Sequence, residues 1–223
     1  ERDARKENSI KKRNAEPHVA RVKNGEGEIY KTTLIVKMLC LAVNKASSFD
    51  AQGIGIEMEA DKPGWCDSMN GLPGLCGSST PEVFELKRQV AFIIDSLNKL
   101  GVKDDYNIAM PEEIYDFLKN LEAIIKEKGD DFYYWDKANS FKEEYRQKIK
   151  FGFSGIEKNL NARELKEAMG IFLIKIDAAM KKAYDAAKKS YTTYFINEVI
   201  KYEPLNRLDP LRNLPLVKPT GFK

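Results

Sequence analysis

Apolar residues recur at steps of three and four along much of this chain, and that spacing limits its fold more than any other feature. The clearest case runs from Ala162 to Lys189. Residues three and four apart share one face of an α-helix, so the spacing predicts a long amphipathic helix there. The apolar positions of this segment are Leu165, Met169, Phe172, Ile176, Met180, Ala183 and Ala187.

Four further segments share the pattern and carry helix boundary signals. For one of them Thr80 is suited to be the N-cap, Pro81 to be the first helical residue and Gly101 to end the helix. The four predicted helices are Glu28 to Lys45, the segment between Thr80 and Gly101, the segment that Pro111 begins and Gly129 ends, and the aromatic-rich residues 130–149.

Extended structure is indicated at one place, Tyr191 to Tyr202, which is rich in β-branched and aromatic residues. Successive helices with few strands favour an all-α fold, as a bundle, a solenoid or part of an α/α barrel. A regular solenoid is disfavoured because no period repeats along the sequence. We therefore treat residues 1–223 as one all-α segment.

The charge balance excludes some classes of partner. The chain has 37 basic and 34 acidic residues, a net charge of +3. This balance gives no reason to expect nucleic acid or an anionic membrane as a partner. The basic start, Arg2 to Arg13, also contains Asp3 and Glu7, so we interpret it as a solvated helix face. The longest apolar run, residues 34–43, is too short to span a bilayer.

The cysteines and the single histidine bear on metal binding and on the compartment. Cys40, Cys66 and Cys76 cannot all pair with one another, and with only His18 beside them a zinc site is not expected. Free thiols in a reducing, cytoplasmic environment are the simplest interpretation. A Cys66–Cys76 disulfide remains an alternative.

One long segment, Ser47 to Ser79, does not fit a compact helical domain. It has no helical periodicity and is rich in glycine, with prolines at 63 and 73. It also carries apolar side chains, including Trp65 and Met69, which is unusual for a flexible linker. Loops of this length in compact domains are usually functional. We therefore expect an ordered loop, packed on the helices, that carries the active site.

The side chains of this loop suit a sugar. An indole packs on the apolar face of a pyranose, and a carboxylic acid beside an indole can keep its proton and donate it to a glycosidic oxygen. The alternative is that the acids face water and the tryptophan fills a core. The polar and aromatic residues concerned are Glu57, Glu59, Asp61, Lys62, Trp65, Asp67 and Asn70.

The run Trp65-Cys66-Asp67-Ser68-Met69-Asn70 resembles the Trp-Asn-Asp-Gly-Met-Asn segment of the inverting phosphorylases of glycoside hydrolase family 94, the cellobiose phosphorylase family. The longer run over residues 62–79 is more similar to the branch that acts on β-1,2-linked glucooligosaccharides. Weaker similarity is found at Glu16-Pro17-His18-Val19 and at residues 193–199.

The resemblance implies an (α/α)6-barrel catalytic domain with the loop 47–79 at its active site. It implies that inorganic phosphate attacks the anomeric carbon while Asp67 protonates the leaving oxygen, which gives α-glucose 1-phosphate with inversion. Trp65 would flank the sugar. Phosphate is a co-substrate, and no other cofactor and no metal are expected. Family members are commonly dimers, so a homodimer is expected for the full-length protein.

Two positions depart from the family pattern. Cys66 replaces an asparagine, and Gly64 replaces an aspartate that helps to hold sugar hydroxyls. Glu57, Glu59 or Asp61 could take over that role. The remaining expected substrate-binding residues are Lys62, Asn70, His18, Tyr194 and Glu198. The chain is several hundred residues shorter than a complete member of the family, so we expect a fragment that is inactive in isolation.

Other functions remain open. Asp67 could instead cap a loop, and His18 could be a structural residue. A calcium site from the loop acids lacks a known ligand spacing. The chain could also be an inverting β-glucan hydrolase, in which a loop glutamate activates water opposite Asp67, or a non-catalytic helical module that binds carbohydrate or serves as a scaffold.

Overall fold

A computed structural model of the protein describes residues 3–13, 16–57, 77–209 and 213–223. Within these ranges the chain is 50% helical and 22% strand. The helices are α1 (Ala4–Lys11), α2 (Leu34–Ala46), α3 (Thr80–Lys99), α4 (Glu112–Lys126), α5 (Asp131–Lys148) and α6 (Ala162–Ala183), with one 3-10 turn at Lys23–Gly25.

Most of the strands in the described part of the chain are short. Their bounds are β1 (Ile56–Glu57), β2 (Gly77–Ser79), β3 (Asn107–Pro111), β4 (Glu157–Asn161), β5 (Tyr184–Asp185), β6 (Ser190–Tyr191), β7 (Tyr194–Ile196), β8 (Val199–Leu208) and β9 (Pro215–Phe222). They pair only in antiparallel fashion, as the sheet β1–β2–β7 and the pairs β3–β4, β5–β6 and β8–β9.

The prediction of an all-α fold is therefore wrong, and the (α/α)6 barrel that the resemblance implied is not supported. The strands were missed because β3 and β4 are five residues each, contain few β-branched residues and run directly into helices. They are stabilised by pairing with each other, from Asn107 opposite Asn161 to Pro111 opposite Glu157. Pairing between segments so far apart in sequence leaves no local periodic signal.

The predicted helices are confirmed, with shifts at their ends. Residues 28–33 are not helical, because the backbone at Ile29 pairs with Arg21, and α2 begins only at Leu34. Asn161 caps α6 with a reciprocal side-chain bond to Glu164. That helix ends at Ala183 rather than at 189, because the chain then turns back through β5 and β6.

Two further predictions, a solvated helix near the start of the chain and an extended segment over 191–202, are confirmed in part. α1 has no buried residue, as expected for a solvated face. The extended segment predicted over 191–202 is divided among β6, β7 and β8. Cys40 is a free thiol whose Sγ lies 3.4 Å from the Tyr145 hydroxyl; Cys66 and Cys76 lie outside the described residues.

The apolar core lies among the helices from α2 to α6. α3 packs on α6, α4 on α5 and α6, and α2 on α3 and α4. The β3–β4 pair completes the core, since its inward-facing side chains are also buried. Fully buried members include Leu39, Val90, Ile93, Met110, Leu118, Leu160, Met169 and Ile176. None of the helices in the described ranges has the length and apolar content needed to cross a membrane.

Candidate functional site: the base of the 47–79 loop

The two ends of the predicted active-site loop lie side by side in one small sheet. In β1 and β2, Ile56 is opposite Ser79 and Glu57 is opposite Ser78. β2 also pairs with β7, where Ser78 is opposite Phe195. The chain therefore enters and leaves residues 58–76 from adjacent strands. We call the polar residues that hold these strands the loop base: Asp50, Glu57, Ser78, Trp135 and Asn197.

Asp50 is the centre of the loop base. Its side chain is 1% exposed. Oδ1 accepts from the backbone N–H groups of Gln52 (3.1 Å) and Ile54 (2.9 Å), and Oδ2 accepts from the N–H of Gly55 (2.9 Å) and from the Ser78 hydroxyl (2.5 Å). A buried carboxylate needs such donors because it has lost its hydration. Asp50 therefore fixes the 50–55 turn and joins it to β2.

Glycines in this turn allow the close approach. Gly53 adopts a left-handed φ of +63°, and a Cβ placed on it would lie 2.1 Å from Oδ1 of Asp131. A Cβ on Gly55 would lie 2.6 Å from the Ser78 hydroxyl. The glycine content that marked residues 47–79 as a loop thus has a packing reason at these two positions.

A second contact joins the turn to the segment before β8. The Gln52 side-chain amide donates to Oδ1 of Asn197 at 2.7 Å, and Asn197 is 2% exposed. The backbone N–H of Thr80 donates to the Thr193 carbonyl at 2.9 Å. The 193–197 segment, which carries part of the family resemblance, is therefore packed directly against the loop base.

Glu57 is the last described residue before the central part of the loop, and it is bound to helix α5. The Trp135 indole N–H donates to its Oε1 at 2.6 Å. The indole is itself 7% exposed and packs against Phe132 and Phe222, with ring centroids 5.5 and 5.3 Å apart. One indole thus has its polar edge on the carboxyl group and its apolar surface on two phenylalanines.

This environment changes the acidity of Glu57. Burial is the largest influence and raises its pKa, and the nearby Asp50 charge adds to the rise. The hydrogen bond from Trp135 and the charge of Lys142 oppose the rise and are outweighed. A carboxyl group that holds its proton to a higher pH than a free glutamate is favoured as a proton donor.

An ion-pair cluster supports the other side of the turn. Oδ1 of Asp131 lies 2.5 Å from Nζ of Lys175, and Asp131 also pairs with Lys182. Lys182 in turn donates to the Gln52 carbonyl at 2.9 Å. Burial alone would raise the pKa of Asp131, but the two lysines outweigh it and lower that pKa. Burial lowers the pKa of Lys175, whose ammonium group also lies 4.4 Å from the Tyr134 ring centroid.

The structure brings two of the predicted site residues into this region. Glu57 belongs to the loop base, and Tyr194 lies in β7 opposite Ser79. The predicted acid, Asp67, lies outside the described residues, and so do the predicted substrate-binding residues Trp65, Glu59, Lys62 and Asn70. Their assignments stay predictions.

His18 and Glu198 lie elsewhere. His18 is exposed and, with Arg13 and Pro17, lines two open clefts beside α1, to which no residue of the loop base contributes. Glu198 is exposed and forms an ion pair with Lys223 at 2.8 Å. Among the described residues, neither side chain forms a hydrogen bond or ion pair with the loop base.

Several residues of the loop base were not predicted from the sequence. Trp135 belongs to the predicted aromatic-rich helix over 130–149, but the composition of that helix does not indicate that the indole N–H binds a loop carboxyl group. Asp50 precedes a Gly-x-Gly run, and this pattern is the signal that could have identified it as a turn-forming carboxylate. Ser78 and Asn197 lie in segments with family similarity, 62–79 and 193–199, but nothing in the sequence indicated that either would be buried at the ends of the loop.

Within 3–13, 16–57, 77–209 and 213–223, no three His, Cys, Asp or Glu side chains are grouped so that they could hold a metal ion. Neither the scan against protein-family models nor the search of curated proteins found a match to this chain. The resemblance to the family 94 phosphorylases therefore depends on the motif residues alone.

Proposed function

We propose that this chain is a segment of an inverting glycoside phosphorylase that releases α-glucose 1-phosphate from β-linked, in particular β-1,2-linked, glucooligosaccharides. The observation that carries the proposal is the run from Trp65 to Asn70, within the longer similarity over residues 62–79. The loop base supports it, because a catalytic loop needs ends fixed by packing and buried hydrogen bonds.

The proposed reaction needs one proton donor. An oxygen of inorganic phosphate forms the new bond to the anomeric carbon as the bond to the glycosidic oxygen breaks, and Asp67 donates its proton to that departing oxygen. Phosphate is its own nucleophile, so no carboxylate is required as a base. Trp65 would pack against the sugar, and Lys62, Asn70, Glu59, Tyr194, His18 and Glu198 are the proposed contacts to substrate.

Glu57 has a structural role in the proposed phosphorylase and a chemical role in the alternative hydrolase. Its contact with Trp135 ties the entry of the loop to α5, so it supports the loop even if it also contacts a sugar hydroxyl. In the alternative reaction, an inverting hydrolysis, a loop glutamate would remove a proton from water instead. Glu57 is the described loop glutamate, and because its pKa is raised it would act as that base only once the pH exceeds the raised value.

Replacement of Asp67 tests the mechanism in the protein at its native length. Asp67→Asn should lower phosphorolysis by about a hundred- to ten-thousand-fold, the usual contribution of a general acid. Affinity for the sugar should change little, because the amide keeps the shape of the side chain. A glucosyl fluoride needs little protonation of its leaving group, so its cleavage should be relatively spared.

The matched controls are Glu57→Gln and Glu59→Gln, which also replace a loop carboxylate by its amide. If Asp67→Asn keeps near-wild-type phosphorolysis while either control abolishes it, the wrong carboxylate has been assigned. Release of free glucose without phosphate would favour the hydrolase. Equal or faster phosphorolysis of cellobiose than of β-1,2-glucooligosaccharides would move the assignment to the disaccharide branch.

The cellular setting is part of the same proposal. A cytoplasmic location is supported by the free thiol of Cys40 and by the need for inorganic phosphate as co-substrate. We propose a homodimer because members of the family are commonly dimers. Measurement of the mass of the native protein in solution tests this.

A further inference from the structure

An aromatic cleft lies on the surface where α3, α6 and the β5–β6 hairpin meet. Its volume is about 340 Å³, at the lower end of the range for small-molecule sites. It is lined by Lys87, Asp177, Met180, Lys181, Tyr184 and Tyr191. None of these residues belongs to the loop base.

Two tyrosines form the apolar surface of the cleft. Tyr184 and Tyr191 are cross-strand partners in β5 and β6, and their ring centroids are 5.2 Å apart. Each is 44% exposed. The Phe84 ring supports Tyr191 from α3, at 4.9 Å and nearly perpendicular to it. Two adjacent aromatic rings that are nearly half exposed offer a large apolar contact surface.

The backbone holds these rings in place. Tyr184 follows directly on the last residue of α6, and the backbone N–H of Thr192 donates to the Ala183 carbonyl at 3.0 Å. The hairpin is thus fixed to the end of α6, a long helix with one face buried in the core. Rings held this way lose little conformational freedom when they bind a ligand.

The polar side of the cleft is a surface ion pair. Nζ of Lys87 lies 2.7 Å from Oδ1 of Asp177, and their side chains are 41% and 56% exposed. An ammonium group has three N–H donors and a carboxylate about four acceptor positions, so the pair can still bind hydroxyl groups. Lys181 also lines the cleft, so its charged side chains sum to one positive charge, and all three can bond to the hydroxyl groups of a ligand.

We infer that this cleft is a second carbohydrate-binding site, which takes one or two glucosyl units of an oligosaccharide. A pyranose matches it because the C–H face of the sugar can pack on the tyrosines while ring hydroxyls bond to Lys87 and Asp177. The choice of glucosyl ligand rests on the proposed function. The site would hold a longer glucan chain in addition to the contacts made by the catalytic loop.

The test uses protein labelled with ¹³C at the tyrosine rings, in the Asp67→Asn background and without phosphate, titrated with a linear β-1,2-glucotetraose. The Tyr184 and Tyr191 signals should shift in a saturable way. Tyr184→Ala should weaken the binding reported by Tyr191 by about three- to tenfold, in line with the energy of one aromatic contact. Asp177→Asn, which leaves both rings in place, should weaken it too.

Tyr202→Ala is the matched control, since Tyr202 is 63% exposed on β8 and does not line the cleft. It should leave the affinity unchanged. The inference is overturned if the two cleft tyrosines do not shift, or if Tyr184→Ala and Asp177→Asn both bind like the Tyr202→Ala control. Release of glucose 1-phosphate is measured separately, in the protein at its native length with Asp67 intact. Its absence counts against the phosphorylase, whereas unchanged binding in the cleft variants counts against the cleft.

Discussion

The contact between Glu57 and Trp135 shows how one residue can connect a loop to the core. Glu57 lies at the end of a strand of only two residues, which by itself would hold the chain weakly. The indole of Trp135 is packed on two phenylalanines, so its N–H has a fixed direction. The carboxyl group that accepts this N–H is thereby fixed as well, and the carboxyl group has lost much of its hydration.

The raised pKa of Glu57 predicts a pH dependence of stability. The folded state holds the proton more tightly than the unfolded chain, whose glutamate has the ordinary value of 4.5. This residue therefore contributes no penalty below pH 4.5, and it lowers the free energy of unfolding as the pH rises from there through the raised pKa. Glu57→Gln should remove that penalty, because the amide does not titrate over this pH range.

Urea unfolding of the wild type and Glu57→Gln at pH 4 and pH 7 measures this effect. The two proteins should be alike at pH 4, and the variant should be the more stable at pH 7. Glu167→Gln, at an exposed position on α6, is the matched control and should show no such difference. A variant that is less stable at pH 7 than at pH 4, relative to wild type, would contradict the raised pKa.

The sequence identified Glu57 but not Asp50, and the reason is physical. Glu57 belongs to an unusual cluster of loop acids that can be seen in composition alone. Asp50 matters because three backbone N–H groups and one hydroxyl converge on it. That convergence exists only after the 50–55 turn has formed and β2 has come alongside.

At the scale of elements, the 50–55 turn is the part of the loop base with the least freedom. Gly53 has a φ that L-residues seldom adopt, and its α-carbon lies against Asp131, which is itself held by two lysines. The turn, α5 and α6 therefore meet at one glycine. A side chain at this position would have to displace the ion-pair cluster.

Gly53→Ala should consequently cost more than backbone strain alone. The matched variant is Gly101→Ala, because Gly101 has nearly the same φ, +62°. A Cβ added to Gly101 would have no atom within 4 Å, whereas a Cβ added to Gly53 would lie 2.1 Å from Asp131. Gly101→Ala should lose about 1–2 kcal/mol of unfolding free energy, which is the usual cost of holding an L-residue in the left-handed backbone conformation. Gly53→Ala should lose at least about 1 kcal/mol more, the typical cost of overpacking. Equal losses in urea unfolding would show that the contact with Asp131 is unimportant.

Helices and strands differed in how well the sequence predicted them. α6 is long, periodic and capped by Asn161, so its start was predicted correctly, while its end was placed beyond Ala183 because Ala187 continued the apolar spacing. β3 buries Ile108, Met110 and its last residue, and β4 buries only Leu160. These positions are too few to show the alternation of apolar and polar residues that is typical of a strand. Their existence depends on a partner almost fifty residues away, so local propensity could not reveal it.

At the scale of the whole molecule, stability is unevenly distributed. α3 and α6 pack against each other and contribute many of the fully buried side chains. The β8–β9 hairpin differs, because every residue of β8 after Val199 is exposed. Its described contacts with the rest of the chain include the packing of Phe222 on Trp135 and an ion pair between Lys218 and Asp136. Two-stranded hairpins with so little burial are marginally stable.

Hydrogen exchange of the backbone amides should follow this division. Amides in the middle of α3 and α6, around Val90 and Phe172, should exchange only through global unfolding, and those of β8 and β9 should exchange through local opening at a much lower free energy. Mass spectrometry of peptides from 86–97, 165–176, 199–208 and 215–223 measures the two helices and both strands of the hairpin in one experiment. Phe222→Ala should speed exchange in β9 further, since it removes the packing on Trp135, and leave the rate in α3 unchanged. Leu208→Ala, at a residue 54% exposed in β8, is the control that should change little. If the hairpin amides exchange as slowly as those of α3, the hairpin belongs to the same cooperative unit as the helices, and its exposed strand must be held by more than the contacts of Phe222 and Lys218.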